Sequence, residues 1–295
     1  MSARRLPGPA AIRAKGWFQA HRWLLARRAS QLAFLALFAS GPLLGVWIAK
    51  GTLATSLTLG VLPLSDPFII LQSLVGGHLP ETAALLGAVI VLAAYALLRG
   101  RLFCSWVCPV NVVTDGAAAL RRRLGWREGA RLDRRLRYVA LAGVLLASAA
   151  GGTIAWELVN PVTMMHRALV FGSVLAWTAV AAVFLFDLAV APRGWCGALC
   201  PVGAFYGLIG RWGRVRVSAP QRAACDHCQD CFQVCPEPHV ISPSLNDPDS
   251  DAILSRDCTA CGRCVDVCPQ SVFVLGVGRQ GPVAGAAPLR QGDLP

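Results

Sequence analysis

Apolar residues in this chain run together instead of alternating with polar ones. Four stretches close to twenty residues long carry almost no charge: 31–49 (QLAFLALFASGPLLGVWIA), 82–98 (TAALLGAVIVLAAYALL), 138–156 (YVALAGVLLASAAGGTIAW) and 169–190 (LVFGSVLAWTAVAAVFLFDLAV). Such runs predict helices that are apolar all round, and about 20 residues of this kind suffice to cross a hydrocarbon core of about 30 Å. The expected architecture is four transmembrane helices. Segment 51–74 is also apolar, but Pro63, Asp66 and Pro67 interrupt it, so a loop or interfacial piece is expected there. The first run lacks a small-residue cleavage site and reads as a retained span rather than a signal peptide.

Composition supports that reading: 55% of residues are hydrophobic and only 15% charged. The net charge of +12 is almost wholly arginine, with lysine only at Lys15 and Lys50. A basic balance can signal nucleic acid, but here the placement points to topology. Ten arginines fall between the second and third runs, whereas the other two loops hold only Lys50 and Arg167. Basic short loops stay in the cytoplasm, so both termini and all cysteines are expected on the cytoplasmic side of a bacterial inner membrane, in a multi-pass protein with no nucleic-acid partner. Within residues 1–30, Trp17, Phe18, Leu24 and Leu25 share a helical face flanked by Arg13, Arg22 and Arg28, which reads as a basic amphipathic segment lying on the lipid bilayer.

Twelve cysteines change the picture from scaffold to chemistry. A reducing compartment disfavours disulfides, and the spacings favour metal. Residues 225–236 read CDHCQDCFQVCP and 258–269 read CTACGRCVDVCP, each a C-x2-C-x2-C-x3-C-P run of the bacterial ferredoxin kind. In such runs three thiolates wrap one cubane and the fourth reaches across to the other. One [4Fe–4S] cluster is therefore assigned to Cys225, Cys228, Cys231 and Cys268, and a second to Cys258, Cys261, Cys264 and Cys235. Zinc sites use C-x2-C pairs but do not explain two quadruple runs with matched prolines. His227 and His239 lie near these runs and are expected to be solvent-exposed or hydrogen-bonding residues, since the cysteines already complete both sets.

A second kind of motif occurs twice: GRLFCSWVCPVNVVTDG from Gly100 and RGWCGALCPVGAFYG from Arg193. Both hold a basic residue and an aromatic ahead of C-x3-C-P-V, and both follow an even-numbered apolar run. The pattern predicts two repeated helical hairpins about a pseudo-twofold axis. It also predicts that Cys104, Cys108, Cys196 and Cys200 converge. Whether they hold a third iron–sulfur centre, act as redox thiols or are inert stays open at this point. The expected fold class is thus membrane α-helical, with four transmembrane helices as two repeated hairpins, plus a C-terminal bacterial 2[4Fe–4S] ferredoxin-like α+β domain. The expected boundaries are 1–30 for the basic segment, 31–210 for the four spans, 211–275 for the cluster domain and 276–295 for a disordered Gly-, Pro- and Ala-rich tail.

Together, LFCSWVCPVNVVTD, GWCGALCPVGAFYG, CFQVCPEPHV and SRDCTACGRCVDVCP closely resemble the NapH/MauN family of ferredoxin-type proteins. The likeness extends to SGPLLGVWI, PLSDPFIILQSLVGGHLP and LVNPV, covering about residues 16–275. The resemblance implies an iron–sulfur subunit of a quinol dehydrogenase. It would pass electrons from quinol, as ubiquinol, through a NapG-like periplasmic ferredoxin-type partner and a NapC-type cytochrome toward nitrate reduction. The methylamine-utilisation role of MauN and a maturation factor that reduces a client enzyme are the competing readings.

Quinol oxidation needs a proton acceptor, and imidazole or a tuned carboxylate titrates in the useful range. His78, Glu157 and His166 are the candidates. Asp187, inside the fourth run, is expected to pair with Arg193. Haem is not indicated: C-x-x-C-H is absent and the four runs contain no histidine.

Overall fold

A computed structural model describes residues 6–126, 128–210, 213–246 and 251–278. Most of the expected disordered tail lies outside the described residues. The chain opens with α1 (Pro9–Lys15), whose proline sits in the first turn where its missing N–H costs nothing, and α2 (Arg22–Leu44), closed by Gly45 at a left-handed φ of 72°. Where a loop or interfacial piece was expected, β1 (Ala49–Gly51), β2 (Thr55–Thr58) and β3 (Leu62–Ser65) form an antiparallel meander with Ala49 opposite Thr58 and Ser56 opposite Leu64. The helical part continues through α3 (Pro67–Val75), α4 (Thr82–Leu98), α5 (Leu102–Trp106), α6 (Val110–Leu124), α7 (Leu136–Gly151), α8 (Pro161–Phe171) and α9 (Val174–Leu185). Two π-helical turns, Phe186–Val190 and Trp195–Leu199, then lead into α10 (Pro201–Ile209).

The C-terminal part is the expected mixed unit: β4 (Val215–Ser218), α11 (Asp230–Val234), α12 (Ile241–Asn246), α13 (Arg263–Val267) and β5 (Val274–Val277), with β4 and β5 antiparallel. Each part has its own core. Phe68, Phe103, Leu141, Trp156, Val202 and Tyr206 fill the helical one, and Val217, Val234, Ile241, Ile253, Val272 and Phe273 the other.

The four-span expectation is corrected by helix length. Among the described residues no helix is long and apolar enough to cross a membrane, which overturns both the transmembrane bundle and the multi-pass inner-membrane placement inferred from hydropathy. The apolar runs were real, but the chain breaks them. α2 is long but begins with Arg22, Arg27 and Arg28, leaving only Ala29–Leu44 as an uncharged stretch, with Pro42 inside. α4 and α7 have 17 and 16 residues, about 26 and 24 Å at the usual helical rise. α9 stops after 12 residues, where the π turn takes over. Much apolar surface faces outward: Leu146, Val174 and Leu175 are 70–80% exposed.

The repeat reaches further than the cysteine motifs suggest. Ahead of α4, Asp66 caps α3 by accepting the N–H of Phe68 at 2.9 Å. Ahead of α9, Asn160 caps α8 by accepting the N–H of Val162 at 3.1 Å. Each cap is followed by a proline in the first turn, and six residues further on stand the buried Gln72 and His166.

The basic N-terminal segment packs against the C-terminal unit. The N–H of Gly8 donates to Asp230 at 2.9 Å, and Lys15 Nζ donates to the carbonyls of Val265 and Cys268. Asp266, without exposed surface, accepts the N–H groups of Trp23 and Leu24 and so caps α2 from the far end of the chain. Trp17 and Phe18 stay exposed.

Candidate iron–sulfur centres

In the first run Cys225, Cys228 and Cys231 line the loop entering α11; in the second Cys258, Cys261 and Cys264 line the loop entering α13. The two loops share one backbone device. His227 and Gln229 have φ of 55° and 63°, and the equivalent Ala260 and Gly262 have 48° and 71°. Left-handed backbone is unfavourable for three of these four residues, and its recurrence at matched positions marks a conformation imposed by function. Such bends turn successive backbone N–H groups toward a common centre, a concavity suited to an anion.

The thiols group across the runs. Cys225, Cys228, Cys231 and Cys268 line one cavity of about 300 Å³. Cys235, Cys258, Cys261 and Cys264 line a second, smaller one. Among the described residues no three His, Cys, Asp or Glu side chains approach closely enough for a single metal ion. The first set surrounds a space for several atoms, and the second closes on a much tighter one; four thiols in each is the donor set of a cluster. Burial pushes the thiols of Cys228 and Cys231 up to about 12, so the free protein holds them protonated and cluster binding must displace those protons.

The C-x3-C-P pairs converge as well. Cys104 sits on α5 and Cys108 just after it; Cys196 lies in the second π turn and Cys200 just after that. Burial and then its neighbours Cys104 and Cys200 push the Cys108 thiol up, and burial followed by Cys200, Asp187, Cys108 and Cys104 does the same to Cys196. The four thiols thus lie within electrostatic reach of one another, and Cys104, Cys108 and Cys200 pack against the core that holds Phe103, Trp156 and Val202.

Segment 99–106 is fastened to the loop carrying Cys258. Arg99 Nε donates to the Cys258 carbonyl at 3.0 Å, Ser105 Oγ to Thr259 at 2.6 Å and Trp106 Nε1 to Ala260 at 3.1 Å. Two carboxylates organise the surrounding arginines. Glu237 takes Arg101 at 2.9 Å, Arg134 at 2.9 Å and Arg137 at 3.3 Å. Asp115 takes Arg27 at 3.1 Å, Arg28 at 2.6 Å and Arg193 at 2.7 Å. Burial alone would raise the Asp115 carboxyl, but Arg193, Arg27 and Arg28 pull it well below the usual range. His239 Nε2 hydrogen-bonds Asp257 at 3.1 Å, with Glu237 3.7 Å from its other ring nitrogen.

The proton-acceptor candidates have separate surroundings. His78 Nε2 meets the Gly152 carbonyl at 2.8 Å. Glu157 accepts from Asn160 at 2.7 Å and Thr163 at 3.2 Å. His166 is 4% exposed, lies edge-on to Phe38, and has no partner at either ring nitrogen. Burial and then Arg167 hold its pKa down, keeping the ring neutral. Sequence reasoning passed over Asp66 as a candidate. Tyr206 donates to it at 3.3 Å and stacks on Phe103, next to Cys104, and burial pushes its carboxyl up to about 6. The legible signal was the repeated Asp-Pro and Asn-Pro.

The expected Asp187–Arg193 pair does not form, because Arg193 turns to Asp115. Asp187, without exposed surface, accepts the Trp195 N–H at 2.9 Å through Oδ1, while Oδ2 has no partner. Burial pushes this carboxyl up to about 6, against the opposing pull of the Trp195 N–H and Arg193. The folded state therefore binds this proton more tightly than the unfolded chain, whose carboxyl titrates near pH 3.9. Stability from this group is full below that value and is lost as pH rises to about 6. Asp187→Asn keeps an acceptor and removes the charge. Its melts should gain on the wild type by about 1 kcal/mol between pH 5 and 7 and level off above; a pH-independent difference would contradict the assignment.

The fold and its thiol sets define a class: a ferredoxin-type protein built on an α-helical body. Residues 81–127 and 169–220 match the family described as "4Fe-4S binding domain", and residues 219–269 match the "4Fe-4S dicluster domain". The chain is 53% identical to the methylamine utilization ferredoxin-type protein MauN of Methylorubrum extorquens, covering 90% of this chain and 92% of that one. It is 50% identical to the ferredoxin-type protein NapH of Escherichia coli, covering 92% and 95%. With MauN of Paracoccus denitrificans the identity is 56%, covering 83% and 86%. The chain belongs to the NapH/MauN family of ferredoxin-type proteins. No solved structure matches it.

Proposed function

We propose that the protein is the iron–sulfur electron-transfer subunit of a quinol dehydrogenase. Cys225, Cys228, Cys231 and Cys268 hold one [4Fe–4S] cluster, and Cys258, Cys261, Cys264 and Cys235 hold the other. The observation that carries this is the crossed grouping of thiols about two cavities, with the same left-handed bends in both loops. When bound, such a cluster takes up and releases one electron at a time. The chain's part is to wrap the thiolates, aim backbone N–H groups inward and exclude water. Cys104, Cys108, Cys196 and Cys200 form a third iron–sulfur site. Four clustered thiols amid buried arginines suit an anionic group, and the matched 4Fe-4S binding domain contains these four cysteines and no others.

The electron donor in this reading is quinol, as ubiquinol, and His166, neutral and unpartnered, is the best-supported proton acceptor. A NapG-like ferredoxin-type protein and a NapC-type cytochrome are the partners, with nitrate reduction as the outlet. Methylamine utilisation is a second reading, since identities to MauN of 49–56% bracket the 50% to NapH. An EPR-monitored titration of the purified protein with its partner, with and without ubiquinol, tests the proposal. Cluster signals that dithionite elicits and ubiquinol does not would overturn the quinol role. Deleting the gene separates the outlets: loss of growth on methylamine with nitrate reduction intact selects the second.

A further inference from the structure

We propose that Arg99, Arg101 and Arg193 are positioning residues that raise the reduction potential of the centre held by Cys235, Cys258, Cys261 and Cys264 above that of its neighbour. The inference rests on the cluster assignment just given and concerns its electrostatics. Arg101 and Arg193 each stand three residues ahead of the first cysteine of a C-x3-C-P, so the repeat supplies the pair. Both guanidiniums point toward the same thiol set from different elements. Arg193 Nη2 donates to the carbonyl of Val234, next to Cys235, at 3.3 Å. Arg101 Nη1 donates to the carbonyl of Asp257, next to Cys258, at 2.8 Å, and its Nη2 to the carbonyl of Cys196 at 3.2 Å. Arg99 spends its guanidinium on the carbonyls of Cys258, Val215, Ile253 and Ser255.

Arg99 and Arg101 are 3% and 2% exposed, and the Arg193 side chain is 12% exposed. Their countercharge is incomplete. Asp115 serves three arginines and Glu237 another three, while Asp257 takes Arg137 and His239. The Nε atoms of Arg27, Arg101 and Arg137 have no hydrogen-bond partner. The neighbouring set has different company. Around Cys225, Cys228, Cys231 and Cys268 stand Asp226, whose Oδ1 accepts the Cys228 N–H at 3.2 Å, Asp230 bonded to Gly8, and the cation Lys15 at the Cys268 carbonyl. Cys228 is exposed, whereas Cys258, Cys261 and Cys264 are buried. A sheltered cation stabilises the more negative, reduced form of a cluster, and low dielectric strengthens the effect; nearby carboxylates do the opposite.

The test is an EPR-monitored redox titration of the full protein with dithionite as reductant, after iron analysis. About eight irons in the two ferredoxin runs are required first, and a shortfall there defeats the cluster assignment rather than this inference. The wild type should show separate steps for these two centres, apart from any contributed by the C-x3-C-P site, with Cys228→Ser assigning the lower of the two. Arg193→Gln and Arg101→Gln should each move the upper step down by at least tenfold in equilibrium constant, about 59 mV for one electron, and leave the lower step in place. Arg193→Lys, which keeps the charge, should restore most of the shift, and Asp115→Asn should move the upper step the other way. The last two variants decide the matter if either glutamine variant fails to fold. A single unresolved step in the wild type, equal movement of both steps, or a lysine variant that behaves like glutamine would overturn the proposal.

Discussion

Cys268→Ala should abolish the same centre as Cys231→Ala, and a different centre from Cys264→Ala. Position along the chain argues the opposite, since Cys264 and Cys268 share one run. Geometry decides, because Cys268 joins Cys225, Cys228 and Cys231 at one cavity while Cys264 faces the other. Each variant should lose about four irons per chain. The variants of one set should leave the same residual EPR spectrum, and variants of different sets complementary ones. The same loss from Cys264→Ala and Cys268→Ala would sink the crossed assignment. Cys261 and Cys235 supply the converse pair.

Glu237→Ala is expected to cost the fold about 3–5 kcal/mol, because it strands Arg101 and Arg137, 2% and 3% exposed, without their shared carboxylate. Arg134 bonds to the same carboxylate but is 45% exposed. Arg134→Ala should therefore change stability by less than about 1 kcal/mol. Denaturant melts of the two variants give the comparison. Equal effects would mean that Glu237 acts through its exposed partner and not as the keystone of a buried cation pair.

The grouping of the C-terminal thiols about two cavities could be read from sequence because it is written in local spacing. Three thiols within seven residues must lie near one another whatever the rest of the fold does. The convergence of Cys104, Cys108, Cys196 and Cys200 was legible for a different reason: a repeat implies that its copies meet. The arginine shell was not legible. Asp115 binds Arg27 and Arg193 across 88 and 78 positions, and Glu237 binds Arg101 across 136, so spacing carries no trace of these pairs. The arginines between the second and third apolar runs were read as markers of membrane sidedness, whereas Arg99, Arg101, Arg121 and Arg137 are buried.

Hydropathy failed for a related reason. It measures how apolar a stretch is and says nothing of where backbone geometry stops a helix. The break after Leu185, where a π turn buries Asp187, and the charged opening of α2 are tertiary decisions. The caps at Asp66 and Asn160 were written in the sequence as Asp-Pro and Asn-Pro, and would have extended the repeat had the search begun from the turns.

The cap on α2 sets an order of events. Its carboxylate, Asp266, stands 243 positions beyond the Trp23 N–H it accepts, and Gly8 meets Asp230 over 222 positions. A chain emerging from the ribosome cannot complete the start of its first long helix until almost all of it has been made. Closure of so long a loop is slow, and until it happens the C-terminal thiol loops remain open. Lys15 then arrives over the Cys268 carbonyl. The segment from Gly8 to Leu24 is thus among the last to settle, and the strap it forms closes beside the C-terminal thiol loops only after those loops have been made.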